Sequence, residues 1–244
     1  MNRLRLQIQR PTLIRGIATL SIGAASASTL GAAVYWLATR EQKFHELNDP
    51  NDGLLRSQFY ARYNPHGNED LSDIYEARIP LSEIRPDLIS DFRRGGSKLV
   101  ERYCSGLLGG WGFAVQRRLS IRRARQAAKA SPDELYTKAQ IMDCTFEEGT
   151  GISNHFVVIE KTPTSVLFRG GSPSDENGLR AVDSLMQGVV AIDDKEGVAV
   201  LRLKCMFYSG QIKGSQPPLP KAMMPLHLIY AKALAANGTA NCRR

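Results

Sequence analysis

The chain has 244 residues, 43% hydrophobic and 23% charged, an ordinary globular balance that excludes wholesale disorder. Its net charge of +8 is unevenly spread: residues 1–40 hold five arginines and no acid, while the rest holds 27 basic against 24 acidic side chains. Most of the excess is thus an N-terminal feature, which weakens any nucleic-acid reading based on overall charge, and no nucleic-acid partner is expected.

Residues 1–16 form a basic tail, and the 22 residues 17–38 carry no charge. As a helix that stretch spans about 33 Å, against a hydrocarbon core of about 30 Å. The segment predicts a single transmembrane helix. Tyr35 and Trp36 stand at one end, where interfacial aromatics are favoured. Gly23, Ala27 and Gly31 recur every four residues, a stripe that permits close helix approach. Two rivals remain open. Ala24–Ser28 could supply a signal-peptide cleavage site, and an Arg-rich, Ser-rich, acid-poor start also suits mitochondrial import. The arginines before the span place the N-terminus in the cytosol. The expectation is a single-pass protein of an endomembrane, with the mitochondrial inner membrane as the alternative.

Residues 39–72 are rich in Asn, Asp, Gly and Pro and read as a linker and entry loop before a domain at 73–236, with 237–244 as a tail. From Ile74 the pattern alternates, with Tyr75, Ala77, Ile79 and Leu81 on one face: a half-buried strand. Asp87–Leu108 predicts a helix. After Gly109, Gly110 and Gly112 a second helix follows, with Trp111, Val115 and Leu119 stacked inward and Arg117, Arg118, Arg122, Arg125 and Lys129 outward. That basic face suits either solvent or acidic lipid headgroups. Thr162-Pro-Thr-Ser165 and Asp193-Asp-Lys-Glu-Gly197 each separate two strand-like runs and predict hairpins. In the last strand Ala199, Leu201, Leu203, Cys205 and Phe207 share a face. Leu226, Ile229, Tyr230, Ala233 and Leu234 then give a closing helix one apolar stripe. The order predicts an α+β fold in which a curved antiparallel sheet grips a long C-terminal helix. A bent sheet cannot close fully on one rod, so a cavity between them is expected.

The run Gly149-Thr-Gly-Ile-Ser-Asn-His-Phe-Val-Val-Ile-Glu-Lys-Thr-Pro-Thr-Ser-Val-Leu-Phe168 resembles a glycine, F-x-V-x-E, turn and apolar-strand stretch of the SRPBCC (START/Bet v 1-like) superfamily. Met223-Met-Pro-Leu-His-Leu-Ile-Tyr230 is similar to the start of its closing helix, especially in DUF2867-type members, and the whole has the look of fungal membrane-anchored proteins. The resemblance implies a helix-grip fold with a hydrophobic pocket that binds lipids, sterols, polyketides or other apolar molecules. It also implies an alternative: a cyclase, isomerase or accessory protein shaping a polyketide-like intermediate in fungal secondary metabolism, beside other membrane-bound pathway enzymes.

Chemistry-bearing motifs are absent: no H-E-x-x-H, P-loop, G-x-S-x-G or dinucleotide fingerprint occurs, so no cofactor is expected. Cys104, Cys144, Cys205 and Cys242 lack C-x-x-C spacing, and His45, His66, His155 and His227 form no helical pair, so no metal site is expected. Cys205, among apolar neighbours, reads as a small core residue. His155 could act as acid or base or simply cap a strand edge; Arg169 could anchor an oxyanion or face solvent. Asp183, like Asp143 and Glu147, could take a proton from a carbon acid if burial raised its pKa. Tyr103, Trp111 and Tyr208 could line the pocket or the core. Asn237-Gly-Thr239 fits the N-glycosylation pattern.

Overall fold

The computed structural model describes residues 31–126, 134–171 and 178–244, in two compact units, Met1–Arg40 and Glu41–Arg244. In the first, residues 31–39 are helical (α1), and the Thr39 hydroxyl donates to the Tyr35 carbonyl at 2.9 Å. Most of the expected membrane span falls on residues 17–30, outside the described residues. Among the described residues no helix is long and apolar enough to cross a membrane.

The second unit is built on one eight-stranded sheet. Its strands are β1 (Lys43–Glu46), β2 (Leu71–Pro80), β3 (Glu134–Leu135), β4 (Gly151–Ile152), β5 (Phe156–Lys161), β6 (Ser165–Gly170), β7 (Asp183–Asp193) and β8 (Val198–Tyr208). They lie in the order β1-β2-β8-β7-β6-β5-β4-β3, antiparallel except for the β3–β4 pair. Both expected hairpins form. The Thr162 hydroxyl accepts from the amides of Thr164 and Ser165, and Asp193 Oδ1 accepts from those of Lys195 and Glu196. Each is a side chain standing in for a turn's backbone acceptor.

Helices α2 (Gln58–Tyr63), α3 (Pro86–Arg93), α4 (Lys98–Gly109), α5 (Ala114–Gln126), α6 (Lys138–Met142) and α7 (Met224–Cys242) complete the unit. The single helix expected over Asp87–Leu108 is two, α3 and α4. Gly95 turns the chain at φ 80°, and the Asp91 carboxylate accepts from the Lys98 amide. α4 and α7 pack against each other and against one sheet face. Their closeness depends on glycine: a Cβ at Gly106 would sit 2.6 Å from the Asn237 carbonyl oxygen, and one at Gly238 2.6 Å from the Tyr103 ring.

Strand alternation divides the buried side chains. Tyr75, Ala77 and Ile79 of β2 and Ala199, Leu201 and Leu203 of β8 join Tyr103, Leu107, Leu234 and Ala235 in the main core. The opposite face is also covered. Leu47, Leu54 and Tyr63 bury Leu167, Leu185, Met206 and Tyr208. The segment read as a linker and entry loop is thus structured: β1 extends the sheet, α2 caps its second face, and Asp52 holds Lys204 Nζ at 2.6 Å. The reading missed this because its turn-rich composition hides three widely spaced apolar anchors. The 237–244 tail is likewise part of the body. α7 runs to Cys242, and the Arg85 amide donates to the Cys242 carbonyl.

Candidate functional site

On the main-core face a cavity of about 630 Å³ opens between α5, the first half of α7 and the β5, β7 and β8 strands. Phe156, Met186, Phe207 and Leu234 supply apolar wall. Its volume lies within the roughly 300–1,000 Å³ of small-molecule pockets. α5 and α7 are tied across it by the Tyr230 hydroxyl, 2.5 Å from Gln116 Oε1.

The rim is unusually greasy. Val115 and Leu119 of α5 are 68% and 45% exposed, and Leu226 of α7 is 58% exposed. The sequence pattern placed Val115 and Leu119 inward with Trp111; the structure turns them to the cavity mouth and leaves Trp111 exposed and off the wall. Arg118 and Arg122 share the exposed face of α5, at i, i+3, i+4, i+7 spacing with Val115 and Leu119. Arg117 instead turns back, its guanidinium donating to the Leu108 carbonyl.

Of the six pocket residues named from sequence, His155 alone lines the cavity. Its ring meets Phe156 edge-on, with centroids 4.6 Å apart. Burial, aided by the positive field of Arg180, pushes its pKa down to about 4, so the imidazole is neutral at physiological pH. Tyr103 is fully buried in the α4–α7 contact, where its hydroxyl finds no hydrogen-bond partner among the described residues.

Arg169, Asp183 and Tyr208 are brought together, but on the opposite face of the sheet. The cause is the period of two: Phe168 and Phe207 point to the main core, so their neighbours Arg169 and Tyr208 point away. There the Arg169 guanidinium grips both Asp183 oxygens, at 3.0 and 2.6 Å, and lies 3.7 Å from the Tyr63 ring centre. This buried bidentate pair lies off the cavity wall. Asp143 and Glu147 lie off the cavity wall, and Glu147 is drawn below the usual carboxylate range by its hydrogen bond to Lys161. Asn237 sits inside α7, its amide donating to the Ala233 carbonyl at 2.7 Å and its side chain pressed on Gly110. A glycan would require that packing to open, so the tripeptide serves the helix contact in this fold.

Sequence reasoning missed the polar cluster on the cavity wall. Asp73 of β2 pairs in register with Cys205 of β8, and His227 of α7 reaches down to them. His227 Nε2 lies 2.5 Å from Asp73 Oδ2, and the imidazole packs edge-on against Phe207, centroids 4.8 Å apart. Cys205 and His227 line the cavity; Asp73 is 1% exposed behind them. Burial and the nearby Asp73 charge hold the Cys205 thiol well above its ordinary pKa, so it is protonated. One signal was present in the sequence: Asp73 falls on the same alternating face as Tyr75, Ala77 and Ile79, a carboxylate on an apolar stripe. Its partners, 132 and 154 positions away, were beyond reach.

No family model matches the chain, no curated protein matches it, and no solved structure matches it.

Proposed function

We propose that the Glu41–Arg244 unit is a helix-grip-like module, of the SRPBCC kind, that binds a hydrophobic small molecule or lipid between its sheet and C-terminal helix. The cavity of about 630 Å³, apolar on most of its wall and rimmed by exposed Val115, Leu119 and Leu226, carries this reading. Apolar walls recognise apolar surface, and the few polar groups fix orientation. The leading segment anchors the module in a membrane, where other membrane-bound pathway enzymes would supply or receive the ligand. Extraction at alkaline pH tests the anchor: an integral segment keeps the full chain in the membrane pellet, and release of intact protein overturns it.

The ligand site is tested with N-phenyl-1-naphthylamine, an apolar probe that brightens when desolvated. The protein should bind it saturably. Ala231→Phe, which places a ring in the cavity from an almost fully buried position on its wall, should weaken binding at least tenfold with circular dichroism unchanged. Equal binding by wild type and this variant would refute the site.

A second reading, a cyclase or isomerase acting on a polyketide-like chain, is favoured by one observation. The His227–Asp73 pair sets a carboxylate behind an imidazole on the cavity wall. With its Nε2–H donating to the Asp73 carboxylate, His227 keeps the Nδ1 lone pair as a base. Confinement would fold the chain and proton transfer would drive closure.

A further inference from the structure

Asp73, Cys205 and His227 come from three elements, yet a carboxylate oxygen, a sulfur and an imidazole nitrogen lie within 4.8 Å of one another. The neighbourhood gives the carboxylate little else. Asp73 is 1% exposed, its Oδ2 is bound to His227, and its Oδ1 has no hydrogen-bond partner among the described residues. Buried carboxylates are normally saturated with donors or paired with a cation, and an orphaned oxygen calls for an explanation. Glu46, opposite Asp73 on β1, adds a carboxylate and no cation.

We propose that these three side chains bind a divalent transition-metal ion of the zinc class, with a coordination position open toward the cavity. The donor set selects the class. Thiolate disfavours magnesium and calcium, whereas one sulfur, one nitrogen and one oxygen suit zinc. Three protein ligands leave a fourth tetrahedral position vacant, as in catalytic rather than structural zinc sites. Cys205 and His227 both line the cavity, so a water or a donor atom of a bound molecule can fill that position.

The charges balance. The ion replaces the thiol proton: the S–H bond breaks, an M–S bond forms, and one proton leaves to solvent. A dication with one thiolate, one carboxylate and a neutral imidazole is then neutral, which suits a buried site. The imidazole stays neutral because its ring proton moves by way of solvent from Nε2 to Nδ1 as Nε2 takes the metal, and the 2.5 Å contact opens to about 3.3 Å, the spacing set by bonds of about 2.0–2.2 Å. The thiol's raised pKa is no obstacle, because a coordinated thiol is deprotonated outright. Metal and base roles exclude each other at His227, so the outcome also decides between this site and the proton-transfer dyad.

The test uses tag-free full-length protein stripped with a chelator. Cobalt(II) titration should give a thiolate-to-cobalt charge-transfer band with tetrahedral ligand-field bands, saturating at one equivalent. Zinc should displace the cobalt and raise the melting temperature. Cys205→Ser should abolish the charge-transfer band, and His227→Gln and Asp73→Asn should each weaken zinc binding at least tenfold. Cys144→Ser, outside the cluster, should change neither. Absence of both the band and the zinc-dependent melting shift in the wild type overturns the proposal, whatever the variants do. A band that survives in Cys205→Ser overturns it equally. N-phenyl-1-naphthylamine binding is read in the same samples, so loss of the metal site and loss of the ligand site are told apart.

Discussion

His155 and Arg169 are both polar side chains removed from water, with opposite consequences. His155 is held neutral, its pKa pushed down from 6.5 to about 4 by burial and then by Arg180. Between those values the unfolded chain binds a proton that the folded chain refuses. Folding stability due to this group is therefore intact above pH 6.5 and is lost as pH falls toward 4. His155→Gln should flatten that acid limb of the stability curve, measured by urea unfolding at several pH values; an unchanged slope would show another group at work. Arg169 is held charged by Asp183. Removing it leaves a carboxylate that is 0% exposed with only the Ser184 amide and the Arg180 guanidinium, 4.0 Å away, so Arg169→Ala should cost about 3 kcal/mol. It should leave affinity for N-phenyl-1-naphthylamine unchanged in the folded protein, because the pair lies across the sheet from the cavity.

At the scale of elements, the α4–α7 contact is the most constrained. Gly106→Ala puts a methyl 2.6 Å from a backbone oxygen that cannot rotate away. A loss of about 1–3 kcal/mol is expected by chemical denaturation. What the sequence disclosed depended on whether the governing signal was local. The β5–β6 and β7–β8 hairpins were legible because turn residues and alternation sit side by side at Thr162–Ser165 and Asp193–Gly197. The inward stacking of Val115 and Leu119 was misread because periodicity names an apolar face without naming what covers it. α7 shows the same limit: Leu226 and Ile229 belong to its apolar stripe yet are 58% and 53% exposed, while Ala235, Ala236 and Gly238, outside the stripe, are buried. The candidate site was least legible. His155 was found through its flanking strand, whereas Asp73, Cys205 and His227 converge only through cross-strand register and a helix crossing.

At the scale of the Glu41–Arg244 unit, the two sheet faces are covered differently. The α2 side is closed: Leu54 is 0% exposed among Tyr63, Leu167 and Met206, and the Lys204–Asp52 bridge seals it. The α5–α7 side keeps open space against the same strands. A sheet with its α2 face bare would expose a contiguous apolar surface, and Leu47, Leu54 and Tyr63 cover it. On the proposed ligand site, stability and probe binding should therefore separate by mutation. Leu54→Ala empties a packed position and should cost about 2–5 kcal/mol of stability while leaving affinity for N-phenyl-1-naphthylamine within twofold. Ala231→Phe, at a wall position only 1% exposed, should lower probe affinity at least tenfold while costing no more than the about 1–3 kcal/mol typical of overpacking. Denaturant melts and probe titrations on both variants provide the check. Parallel losses of stability and affinity in Leu54→Ala would mean the faces are coupled through the strands and that the cavity is not an independent feature of the fold.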